Sequence, residues 1–156
     1  MFASRPSRPT PPNRRLNLYN VHTGDHLDIE YFKDGSYQSA ALDALDNLLR
    51  DHRNGQTKPM DPQLFDLLAT LNSTLPSRLP TEIISGYRSP ATNSRLRKKS
   101  RSVAKNSYHV KGKAIDIRIP GYRPSQVNRA ARRLKAGGVG RYRDFVHIDT
   151  GPVRYW

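Results

Sequence analysis

The segment Ser107-Tyr-His-Val-Lys-Gly-Lys-Ala-Ile-Asp116 constrains this chain more than any other. It sets a histidine and a carboxylate, His109 and Asp116, seven positions apart, with Gly112 and Ala114 between them. A second cluster, Asp144-Phe-Val-His-Ile-Asp149, follows later in the chain. Between Ile83 and Arg143 there are seventeen Lys and Arg and one acidic residue, Asp116. A lone carboxylate in the apolar-flanked strand Ala114-Ile-Asp-Ile-Arg-Ile119 is a poor fit to a random surface charge. Two imidazoles and one carboxylate form the ligand set of an open catalytic zinc site, which keeps a fourth position for water.

Each residue alone also has a plainer reading. His109 or His147 would serve as a hydrogen-bonded structural histidine, and Asp116 as a turn cap or an arginine partner. The combination argues for more. His147 and Asp149 alternate with Val146 and Ile148 as on a strand, and His109 sits in a Ser/Gly-bounded loop just before another strand. Two strands and one loop can converge three ligands.

At 156 residues the chain fits one domain with a core that needs no staples. Mean hydropathy is −0.78 and no apolar run reaches the length of a membrane span. With no cysteine, disulfides, thiolate ligands and cysteine nucleophiles are excluded within this chain. A net charge of +14 predicts attraction to a polyanion, either nucleic acid or the carboxylate-rich bacterial cell wall. The basic runs Arg95–Arg101 and Arg129–Lys135 have the shape of helix faces, and the aromatics form no base-stacking pattern.

Residues 1–14, rich in Pro and Arg, are expected to form a disordered lead-in, leaving 15–156 as the single domain. A strand pair is expected at Leu16–Val21 and His26–Tyr31, joined through Thr23-Gly-Asp25. Apolar spacing predicts a helix over Ser39–Arg50 and another starting at Asp61-Pro62, with Asp as N-cap and Pro at the first helical position. A short strand at Thr81–Ser85 leads through the turn Gly86–Pro90 into a basic helix to about Lys99. Another helix runs from Pro124 to Ala136, stopped by Gly137-Gly138. Interleaved strands and helices with hairpins imply an α+β fold, an antiparallel sheet packed with helices.

Taken in order, Ile84-Ser-Gly-Tyr-Arg-Ser89, Val103-Ala-Lys-Asn-Ser-Tyr-His109, Gly112-Lys-Ala-Ile-Asp116, Gly137-Gly-Val-Gly140 and Phe145-Val-His-Ile-Asp-Thr-Gly151 carry a family resemblance. The chain resembles the YcbK/MepK branch of the zinc D-Ala-D-Ala peptidases, whose clan includes VanX-type dipeptidases and the hedgehog domain. The resemblance implies Zn²⁺ held by His109, Asp116 and His147, and Arg88 as the group that binds substrate and polarises its carbonyl. It implies an acidic base three residues before the last ligand, here Asp144, with Asp149 as the fallback. Ser107 matches the motif serine, a support or substrate contact.

Such proteins are murein endopeptidases that cut peptidoglycan stem-peptide crosslinks, with L,D-type bonds favoured and some carboxypeptidase activity beside it. The resemblance also implies a periplasmic or otherwise exported location. Phe2-Ala3 before the Pro/Arg segment resembles the tail of a cleaved export signal. Two rival readings remain: a non-catalytic zinc-containing cell-wall-binding module, and a basic nucleic-acid-binding domain.

Overall fold

The computed structural model describes residues 11–156. Most of the expected N-terminal lead-in therefore lies outside the described residues. Its last member, Arg14, opens the first strand, pairing with Asp66 at 2.6 Å and lying over the Phe32 ring.

The described residues form four helices and a mixed eight-stranded sheet, an α+β fold. The strands are β1 (Arg14–Asn20), β2 (His26–Lys33), β3 (Ser36–Tyr37), β4 (Thr81–Ser85), β5 (Ala114–Arg118), β6 (Gly138–Arg141), β7 (Val146–Asp149) and β8 (Arg154–Tyr155). Their spatial order is β3-β2-β1-β4-β5-β7-β6-β8. Neighbours pair antiparallel except β1 with β4 and β6 with β8, so the sheet is mixed rather than wholly antiparallel. The first parallel pair arises because the connection from β3, which runs the same way as β1, to β4 passes through two helices, long enough to return the chain in the same direction.

The helices are α1 (Ser39–Leu48), α2 (Pro62–Thr74), α3 (Pro90–Lys99) and α4 (Pro124–Leu134). Local chemistry sets their starts. Asp61 accepts the Gln63 N–H at 3.0 Å and Ser89 accepts that of Thr92 at 3.2 Å, each before a Pro that needs no partner for its missing N–H. The end of α4 comes earlier than the glycine pair suggested. Leu134 is its last residue, Lys135 takes left-handed backbone at φ 48°, and Gly138 already opens β6.

The core is built from alternate strand residues and helix stripes. Leu16 and Leu18 of β1, Ile115 and Ile117 of β5, and Val146 and Ile148 of β7 pack with Leu45, Leu64, Phe65, Leu68 and Val127. Because strand side chains alternate, Asp116 and His147 must face away from this core. The pairing register then sets Asp116 opposite His147. Alternation thus delivers two of the sequence-predicted ligands to the same spot on the free face.

The turn after β4 is locked to the end of α1. Tyr87 N–H donates to the Leu49 carbonyl at 2.7 Å, and a Cβ on buried Gly86 would lie 2.5 Å from that same oxygen. Gly86→Ala should therefore force apart two backbone segments and cost about 1–3 kcal/mol. The check is a lower urea midpoint with an unchanged slope. A midpoint equal to wild type would show that the turn can yield.

Candidate metal centre

His109 and His147 reach Asp116 from different elements. Ser107 Oγ accepts the His109 N–H at 3.2 Å, and the Tyr108 and His109 carbonyls accept further loop N–H groups, which winds residues 107–113 tightly before β5. His109 Nε2 lies 3.2 Å from Asp116 Oδ1, and His147 Nδ1 lies 2.9 Å from the same oxygen. The three donor atoms fall within 4.8 Å of one another, and all three residues are buried.

The outer nitrogen of each ring is also engaged. His109 Nδ1 donates to the Gly86 carbonyl at 2.8 Å, and a carbonyl can only accept, so Nε2 is left with a lone pair aimed at the cluster. His147 lies between two carboxylates, Nδ1 against Asp116 and Nε2 at 2.8 Å from Asp149 Oδ2, which fixes the orientation of its ring. His109 Nε2, His147 Nδ1 and the Asp116 carboxylate thus converge in one buried space, and a divalent metal fits this donor set. Burial pushes the Asp116 carboxyl up, but the two rings outweigh it and hold it well below the usual carboxylate range. For His147, burial opposes the charged ring, and the bonds to Asp116 and Asp149 reverse that to a net upward direction.

The cluster opens into a cleft of about 550 Å³. Arg88 and Ser107 line it, as the sequence suggested. Arg88 has no carboxylate partner within ion-pair distance among the described residues; Nη1 donates to Asn93 Oδ1 at 3.2 Å and buried Nε has no partner. Its guanidinium therefore lines the cleft without an ion pair, with the Asp116 carboxylate acting on it through space.

The two carboxylates expected as base stand elsewhere. Asp144 is exposed and does not line the cleft. Tyr142 N–H donates to the Phe145 carbonyl at 3.0 Å, so Arg143 and Asp144 form the tip of a tight turn, where Asp is favoured for turn chemistry. Asp149 is fully buried behind His147. It accepts from both Arg154 Nη atoms and from the Gly138 and Gly151 N–H groups as well as from the ring. The structure thus places Asp149 behind the His147 ring and Asp144 at a turn tip outside the cleft lining.

Sequence reasoning missed Asn93, which holds Arg88 and donates to the Ala104 carbonyl at 3.1 Å, and it missed Arg154 and Trp156 in the cleft wall. Asn93 carries no local signal. Arg154 and Trp156 matter only because β8 returns beside β6, which no periodicity announces.

The family model described as peptidoglycan L,D-endopeptidase MepK matches residues 8–156. The peptidoglycan L,D-endopeptidase MepK of Escherichia coli strain K12 is 48% identical over 149 residues, covering 94% of this chain and 82% of that protein. A relative from Haemophilus influenzae, named "Probable peptidoglycan L,D-endopeptidase MepK", is 46% identical over 150 residues, covering 94% and 81%. No solved structure matches the chain significantly.

The arrangement around His147 generates a direct test. Asp149→Ala frees the ring and strands Arg154, so divalent-metal affinity should fall about 10–100-fold. Asp144→Ala should leave it unchanged. Competition with a chromogenic chelator measures both, and equal affinity in Asp149→Ala and wild type would remove Asp149 from this role.

Proposed function

The chain belongs to the MepK family of peptidoglycan L,D-endopeptidases, and we propose that it is itself a zinc-dependent hydrolase of stem-peptide crosslinks. The observation that supports this best is the buried triad of His109 Nε2, Asp116 and His147 Nδ1 opening into a cleft that Arg88 lines without an ion pair. The donor set of two imidazoles and one carboxylate suits Zn²⁺ over harder, all-oxygen cations. The favoured substrate is the L,D-type bond between two diaminopimelate residues, with carboxypeptidase action on stem ends as a lesser activity. That substrate puts the protein's work outside the cytoplasmic membrane, in the periplasm or an equivalent exported location. No helix among the described residues is long and apolar enough to cross a membrane.

When bound, zinc supplies a Lewis acid for the scissile carbonyl and lowers the pKa of water towards about 7. The chain's residues supply the rest. Arg88, fixed by Asn93, faces the position where negative charge gathers on the attacked carbonyl oxygen. Ser107 braces the His109 backbone, and His109 in turn is held by Gly86, so the turn carrying Arg88 and the ligand loop are one unit. Asp116 is the single carboxylate lining the cleft among the described residues.

Two measurements test this reading together. Metal analysis should find about one zinc per chain, and purified sacculi should release muropeptides in a chelator-sensitive way. Arg88→Ala should keep zinc yet cleave crosslinked muropeptides some hundredfold or more slower, about 3 kcal/mol in the transition state. Arg88→Lys should restore little, since a point charge does not reproduce the planar fork. A zinc-loaded protein that bound sacculi and released nothing would instead be a wall-binding module.

A further inference from the structure

The cleft has a wall that the chemistry above does not use. Trp156 lines it and is 45% exposed as a residue, yet it is held from every side. Its backbone N–H donates to Val139 at 3.1 Å and its carbonyl accepts from Arg141 at 3.0 Å. Indole Nε1 donates to the Tyr142 hydroxyl at 3.1 Å, and the Arg154 guanidinium lies 5.1 Å from the ring centroid. A side chain on Gly140 would collide with the indole, so β6 is bare where the ring sits. Tyr142, also part-exposed in the cleft, stacks on Phe145 at 4.6 Å.

An aromatic surface that is both rigid and wet suits a ligand, because its apolar area is uncovered while its ordering cost is already met. Its position says which part of a ligand. The indole centroid is 5.2 Å from the His147 ring, so whatever lies on it is adjacent to the metal cluster. Arg88 is the cleft-lining cation without an ion pair, since Arg154 is already engaged by Asp149, and Asp116 is the one carboxylate side chain in the lining among the described residues. A group that fits has an aliphatic chain for the rings and a carboxylate for the positive field. A D-alanine methyl is too short to cover this surface.

We propose that Trp156 and Tyr142 form a subsite for the aliphatic arm of a diaminopimelate residue beside the scissile bond, selecting a long carboxylate-bearing crosslink over a terminal D-alanine. This rests on the hydrolase reading above.

Trp156 is the single tryptophan of the chain, so its emission reports occupancy of the subsite without reference to turnover. The full chain, zinc-loaded, is titrated with a diaminopimelate-crosslinked muropeptide dimer and with a monomeric stem that ends in D-alanine and carries alanine in place of diaminopimelate. Binding is followed in parallel by calorimetry. The dimer should change the emission saturably and the D-alanine stem much less. Trp156→Ala should keep its zinc, raise KM for the dimer about tenfold and lower kcat much less, as loss of uniform binding does. Trp156→Phe, the safer variant for folding, should recover most of the affinity.

Calorimetric binding of the dimer without an emission change would overturn the subsite, as would equal affinity of dimer and D-alanine stem. Absence of any dimer binding by the wild type would overturn it too. Emission change on binding without any cleavage would uphold the subsite and count against the hydrolase reading instead.

Discussion

One buried carboxylate ties together the region on which the metal centre depends. Asp149 accepts hydrogen bonds from the His147 ring, the Arg154 fork and two backbone N–H groups that belong to different turns. Those bonds bind β6, β7 and β8 into one corner and set the angle of a metal ligand at the same time. Charge-assisted hydrogen bonds of this sort contribute about 1.5–3 kcal/mol each, and a buried charge left without them is costly. Burial alone would push the Asp149 carboxyl up, and its donors instead hold it well below the ordinary range. The corner is therefore intact wherever this carboxylate is ionised, and its contribution is lost only as acid protonates it.

What could be read in advance divides along a physical line. His109, Asp116 and His147 were legible because each stands in a short local pattern, and strand alternation then delivers two of them to one face. The helix starts at Pro62 and Pro90 were legible for the same reason, since a cap acts over three residues. The surroundings of Asp144 and Asp149 were not legible, because spacing from His147 cannot tell a turn tip from a strand. The closure of the turn by Tyr142 and Phe145, and the arrival of Arg154, decide that. Asn93, Arg154 and Trp156 depend on contacts between distant segments, and their importance exists only after the chain has folded.

The charge of the molecule is also distributed by the fold. Several of its thirteen acidic residues are engaged inside it: Asp66 with Arg14 and two tyrosines, Asp51 with the Ser89 N–H, and Asp116 and Asp149 at the centre. The basic residues of α3, Arg97, Lys98 and Lys99, have no ion-pair partner among the described residues. These unpaired cations are a main source of the surface field, and screening over about 8 Å at physiological salt confines it to the near surface.

The two outermost strands of the sheet, β3 and β8, are each only two residues long. A strand edge is a row of free N–H and C=O groups that another chain can zip onto, and its danger grows with its length. β8 offers almost no template, but β3 covers only Phe32 and Lys33 of β2, leaving the outer edge of His26–Tyr31 without a strand partner among the described residues. The charges along β2, Asp28, Glu30 and Lys33, are of the kind that make such an edge a poor template for a second copy.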